Sequence, residues 1–101
     1  MPPEKPLMTI NNAFDKEFVI KNRLGLHARA ASQFVRLAGN FDSEIFIEKD
    51  GQEVNGKSIM GVLILAAACG SKIKLRAEGN DAEAAVMALG ELVNRGFDED
   101  D

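Results

Sequence analysis

The chain has 101 residues, 46% hydrophobic and 28% charged, with a net charge of −4; that is enough for one core and one domain, and it lacks the basic field that nucleic-acid binding demands. No apolar run approaches the roughly 18–20 residues that cross a bilayer as a helix, so no membrane insertion is expected, and the single cysteine excludes an internal disulfide and suits a reducing cytoplasm. The charge is local: residues 14–97 carry eleven Lys or Arg against eleven Asp or Glu, and the excess comes from "DEDD" at 98–101.

Residues 1–12, with three prolines, read as a flexible leader. From Phe14 the pattern is a strand in which Phe18 and Ile20 share one face, opposite Glu17, Val19 and Lys21. The triplet Arg23-Leu24-Gly25 breaks it. Ala28 to Ala38 then places Ala31, Phe34, Val35 and Ala38 at i, i+3, i+4 and i+7, an amphipathic helix with Arg29, Ser32, Gln33 and Arg36 outside. Gly39-Asn40 is its stop. "SEIFIEKDGQEV" is a hairpin about Asp50-Gly51.

"GKSIMGVLILAAACG" reads as a second helix, capped by Ser58 and stopped by Gly70, with Cys69 a small core residue inside it. "SKIKLRAE" alternates, with Ile73, Leu75 and Ala77 inward and Lys72, Lys74 and Arg76 outward. A last helix starts at Asn80 or Asp81, with Glu83 placed for a box-like cap. It buries Ala82, Ala85, Val86, Leu89 and Val93 and ends before Gly96. Residues 98–101 read as a solvated acidic tail. The order β-α-β-β-α-β-α, with a hairpin in the middle, predicts an α+β fold over residues 13–97. Its sheet is mainly antiparallel and wet on one face, and three helices cover the other.

The one histidine, His27, stands at the mouth of the first helix, in "NRLGLHARAASQF". The first turn of a helix presents unpartnered N–H groups and about half a positive charge, a setting that receives phosphate readily. Arg29 adds a fixed cation. Gly25 permits a sharp entry, and the small neighbours Ala28, Ala30 and Ala31 leave the ring open. An imidazole there can act as nucleophile toward a phosphoryl group, since an unperturbed pKa of about 6.5 keeps neutral rings available near neutral pH. On local sequence alone, a capping or surface histidine is the competing reading. One histidine and one cysteine make no typical zinc site, and no GxxxxGK[ST] loop is present. No cofactor is expected.

"LGLHARAA", "FDSEIFIEKDG", "GKSIMGVLILAAACG" and "IKLRAEGNDAEAAVMALGELV" together resemble HPr, the histidine-containing phosphocarrier family of the bacterial phosphotransferase system, over about residues 14–97. The resemblance implies an open-faced β-sandwich with a four-stranded antiparallel sheet under three helices. It implies a carrier rather than an enzyme, with His27 accepting phosphate on Nδ1 from enzyme I and passing it to an enzyme IIA domain. By the same resemblance Arg29 stabilises the phosphate, and Ser58 is the target of HPr kinase/phosphorylase in some bacteria. Partner docking falls to Ile59, Met60 and Leu63, flanked by Gln33 and Arg36; by periodicity alone the first three read as core. A monomer is expected for a carrier that exposes one face.

The chain departs from the family at Ala30, where proline is usual; alanine keeps the helix but gives up a fixed φ in its first turn. The "HAR" trio and the ending "NRGFDED" resemble the nitrogen-related paralogue, whereas "KSIMGVL" resembles the sugar branch. One alternative is therefore a nitrogen-branch paralogue acting mainly as a regulatory interaction module. Another is a domain holding an anion on Lys72, Lys74 and Arg76.

Overall fold

Seven elements follow from the side-chain pattern in the computed structural model, which describes residues 12–99. They are β1 (Ala13–Val19), α1 (Ala28–Ala38), β2 (Glu44–Lys49), β3 (Gln52–Asn55), α2 (Ile59–Ile64), β4 (Lys72–Glu78) and α3 (Ala82–Asn94), with a short turn at Gly96–Asp98. The strands form one antiparallel sheet in the order β1-β4-β2-β3. Period-2 alternation decides its two faces. Ile45, Ile47, Ile73, Leu75 and Ala77 point into the core with Phe18, and register sets Phe18 opposite Ile73 and Ile47 opposite Leu75. Ala31, Phe34 and Ala38 of α1, Val62 of α2, and Val86, Leu89 and Val93 of α3 close the core from the other side. Each such large side chain contributes on the order of 1.5–3 kcal/mol by leaving water. The expected α+β architecture and element order are thus observed. Among the described residues, no helix is long and apolar enough to cross a membrane.

Local chemistry agrees where it is strongest. Asp50 and Gly51 both have positive φ, 52° and 83°, the left-handed pair of a two-residue hairpin between Lys49 and Gln52. Ser58 caps α2, its hydroxyl accepting from Gly61 N at 3.1 Å.

Three expectations are corrected. The second helix does not run to Gly70: it ends after Ile64, and Ala66 turns to φ 48°. Tertiary hydrogen bonds take the backbone that a helix would have used, since Ala67 O accepts from Leu26 N and Gly70 N donates to Ile20 O. Cys69 consequently lies in the turn before β4 and is exposed rather than in the core. At the start of α3 no side chain caps the helix. Asp81 instead reaches across to accept from the backbone N–H groups of Asp42 (2.9 Å) and Ser43 (3.0 Å), tying down the chain before β2.

The outward cations of β4 are not a free basic stripe either. Arg76 stacks over Phe46, 4.3 Å from the ring centroid, and forms ion pairs with Glu53 and Glu78; Lys74 lies 3.9 Å from Glu48. Such surface pairs stabilise by about 0–1 kcal/mol each, but they neutralise two of the three cations an anion would have needed. The leader expected over residues 1–12 lies outside the described residues except for Asn12, as do Asp100 and Asp101 of the acidic tail.

One glycine reverses a propensity argument. Gly90 sits inside α3, where alanine would be favoured by about 1 kcal/mol. A Cβ there would stand 2.0 Å from Cζ of the buried Phe18 ring. Gly90→Ala should therefore lose stability, by about 1–3 kcal/mol of overpacking. Urea unfolding followed by circular dichroism would show a lower midpoint at an unchanged slope.

Candidate functional site

The segment between β1 and α1 is held from both sides. Ile20 N donates to Ser71 O at 2.9 Å, and Leu26 N donates to Ala67 O at the same distance. Gly25 occupies the left-handed region at φ 67°, and a Cβ on it would approach Ala67 O to 2.4 Å. Only a residue without a side chain lets this loop lie so close to its neighbour. The chain then passes extended through His27, at φ −75° and ψ −180°, into α1.

His27 occupies the N-cap position in an unusual division of labour. Its carbonyl accepts from Ala31 N at 2.8 Å, but its side chain makes no capping bond. The amides of the first turn therefore keep the unpartnered character of a helix start, while the ring, 29% exposed, opens onto a cleft. Ala28, Arg29 and Gln33 line that cleft from α1, and Leu24 from the loop. Ala30 and Ala31 do not border it as expected, because both are fully buried in the core; Ala28 alone leaves the ring room. Arg29 is exposed, and Arg36, one turn beyond Gln33, is exposed outside the cleft.

The tail is where the sequence reading fails. After α3 the chain turns sharply at Gly96, Phe97 and Asp98, all at positive φ, and buries Phe97 to 1% exposure. Asp98 pairs with Arg95 at 2.9 Å. Glu99 then returns to the site, where its carboxylate accepts from His27 Nε2 and, at 3.0 Å, from Asn22 Nδ2. Glu99 is thus packed against the domain rather than part of a solvated tail, while Asp98 stays exposed beside Arg95. Neither Asn22 nor Glu99 was anticipated. The one available signal was an aromatic residue, Phe97, directly after the helix-ending Gly96, which must find a place to bury.

The Asn22 hydrogen bond, the His27 hydrogen bond and the nearby Arg29 charge hold the Glu99 carboxyl below the usual carboxylate range against a smaller effect of burial. At neutral pH it is therefore an anion and accepts the ring N–H.

The docking residues separate. Ile59 and Met60 are exposed, Met60 to 67%, whereas Leu63 is half-buried against the core. Two further apolar side chains, Leu24 at 67% and Ile64 at 60%, also face solvent. Gln33 is half-buried at the cleft wall. Ser58 is half-buried at the start of the same short helix as Ile59 and Met60.

The tail contact has a defined pH dependence. Folding lowers the Glu99 pKa from its ordinary value near 4.5, so its contribution is fully present above that value and is lost as pH falls through the lower, folded one. Carboxyl carbon shifts followed by NMR should give a Glu99 midpoint below 4.5, moving up toward it in Asn22→Ala.

The family model described as "PTS HPr component phosphorylation site" matches residues 14–95. A phosphocarrier protein HPr of Xylella fastidiosa is 44% identical over 86 residues, covering 85% of this chain and 97% of its own. An HPr-like protein Crh of Halalkalibacterium halodurans is 53% identical over 75 residues, covering 74% and 89%. Among solved structures, an HPr of Thermoanaerobacter tengcongensis superposes with a TM-score of 0.83 at 46% identity, covering 86% of this chain and 98% of its own. A match across nearly all of the domain in both sequence and fold is decisive: the chain belongs to the HPr family of phosphotransferase-system phosphocarriers, which relay phosphate rather than act as enzymes.

Proposed function

We propose that this chain accepts a phosphoryl group on Nδ1 of His27 from phosphorylated enzyme I and passes it to an enzyme IIA domain. The observation that carries this reading is the division of the ring: Nε2 is bonded to an ionised carboxylate at the uncapped start of α1. The hydrogen then resides on Nε2, and the lone pair is on Nδ1. In the transfer the Nδ1–P bond forms as the bond between phosphorus and its donor breaks, the electron pair leaving with the donor and the Nε2 proton staying in place. The phosphoryl oxygens would meet the first-turn amides and Arg29.

Docking is assigned to the exposed side chains around this cleft and α2, Ile59 and Met60 above all, with Leu63, Gln33 and Arg36 at their margins. Flexible methionine suits several partners, and a relay works best through small interfaces that release quickly. The reading places a monomer in the cytoplasm. Phosphorylation of Ser58 by HPr kinase/phosphorylase would set about −1.5 to −2 of charge beside Ile59 and Met60, favourable to the helix start but repellent to an apolar partner. The likeness to an HPr-like protein Crh supports a second reading, in which the chain is mainly a regulatory interaction module, with the nitrogen branch as its alternative setting.

Incubation with phosphoenolpyruvate and a bacterial enzyme I should give an acid-labile phosphoprotein. His27→Ala should take no label; equal labelling of that variant would end the carrier reading. Arg29→Ala should slow acceptance by about tenfold or more, the loss of one charge-assisted contact.

For the regulatory arm, HPr kinase and ATP should label the native chain but not Ser58→Ala, which also loses about 1 kcal/mol as a helix cap. Partner binding that changes on this labelling in a His27→Ala background would favour the module.

A further inference from the structure

We infer that Glu99, oriented by Asn22, is a positioning residue that holds the His27 ring for phosphoryl transfer. The inference rests on the carrier reading above and extends it to a carboxylate beyond the last helix that periodicity does not predict, since residues of an acidic stretch are ordinarily solvated.

 Glu99 lies five positions beyond Asn94, the end of α3, which is a contour of about 16 Å at roughly 3.3 Å per residue.

That short span is built to come back to the ring. Phe97 and Asp98 are non-glycine residues at φ 57° and 59°, a conformation that costs roughly 1 kcal/mol or more at each. Burial of Phe97 to 1% exposure offsets that cost and sets the direction of the chain. Asn22 supplies the second half of the arrangement. It is 2% exposed, and its Nδ2 donates both to Gly25 O, at 2.8 Å, and to Glu99 Oε1, at 3.0 Å. Both partners only accept, so the amide can face just one way, and its Oδ1 is left buried without a partner. The fold accepts an unsatisfied oxygen to keep this donor aimed at the carboxylate. The other carboxylate oxygen, Oε2, takes His27 Nε2.

The chemical consequence follows from charge. As Nδ1 attacks phosphorus, the ring changes from neutral imidazole toward an imidazolium that retains its Nε2 hydrogen. A fixed anion on that hydrogen stabilises the cationic ring more than the neutral one, the role a buried aspartate plays behind the histidine of a serine hydrolase. Glu99 touches the nucleophile's far side and never the phosphoryl group, so it acts through His27.

Two variants and two measurements test this on the full chain. In 15N-labelled native protein, the His27 Nε2–H should give a proton signal protected from exchange. Glu99→Ala should lose that signal and slow phosphoryl acceptance from enzyme I by about tenfold, the worth of one hydrogen bond to a charged group. Glu99→Gln keeps an acceptor oxygen without the charge, and should retain the signal while recovering only part of the rate. Glu83→Gln, an equal change of net charge elsewhere, should match the native rate. Overturning results are an Nε2–H signal or a rate in Glu99→Ala that matches the native, or faster labelling, which would mean that the tail merely blocks the ring. A native chain that takes no label at all would sink the carrier reading itself, an outcome distinct from labelled variants that behave alike.

Discussion

The close approach of Gly25 to Ala67 is the constraint on which the site depends. With φ at 67° and no Cβ, the loop after β1 can lie against the backbone of the segment after α2, and Leu26 N reaches Ala67 O at 2.9 Å. This single bond delivers His27 to the start of α1 at a fixed angle. The segment that receives it is no longer helical, since α2 stops after Ile64 and Ala66 turns to φ 48° although the following residues are apolar and small.

Sheet and helices then divide their duties. The buried face of the sheet and the inner stripes of α1 and α3 make a core rigid enough to carry an exposed nucleophile. The outer face of the sheet is covered by its own charges, with Arg76 held between Glu53 and Glu78 over the Phe46 ring. The three most exposed large apolar side chains, Leu24, Met60 and Ile64, lie in the loop before His27 and on α2, with Ile59 beside them, whereas Val19 and Met87 are exposed elsewhere. A relay protein needs that asymmetry: one face that meets partners, and another whose polar groups already satisfy one another.

Departure of Ala30 from the family's usual proline finds its physical answer in burial. Ala30 is fully buried, and the helix start is braced by Leu26 on Ala67 and by the Ala31-to-His27 bond. Restraint that a pyrrolidine ring would place on φ is met here by tertiary contact and by the tail that returns Glu99 to the ring.

Local pattern by itself determined the strands, the span of α1, the Asp50-Gly51 hairpin, the Ser58 cap and the place of His27, because each depends on residues within a few positions of one another: alternation, helical spacing, turn chemistry and capping. Tertiary structure alone decided the length of α2, the exposure of Cys69, the use of Asp81 across to the chain before β2, the pairing of the β4 cations and the docking of Glu99 on His27. Every one of these joins groups far apart in sequence, and a hydrogen bond or ion pair between distant segments leaves no periodicity behind. The apolar run after Ile64 and the acidic ending both carried honest local signals; long-range hydrogen bonds at Ala67 and at Asn22 outweighed them.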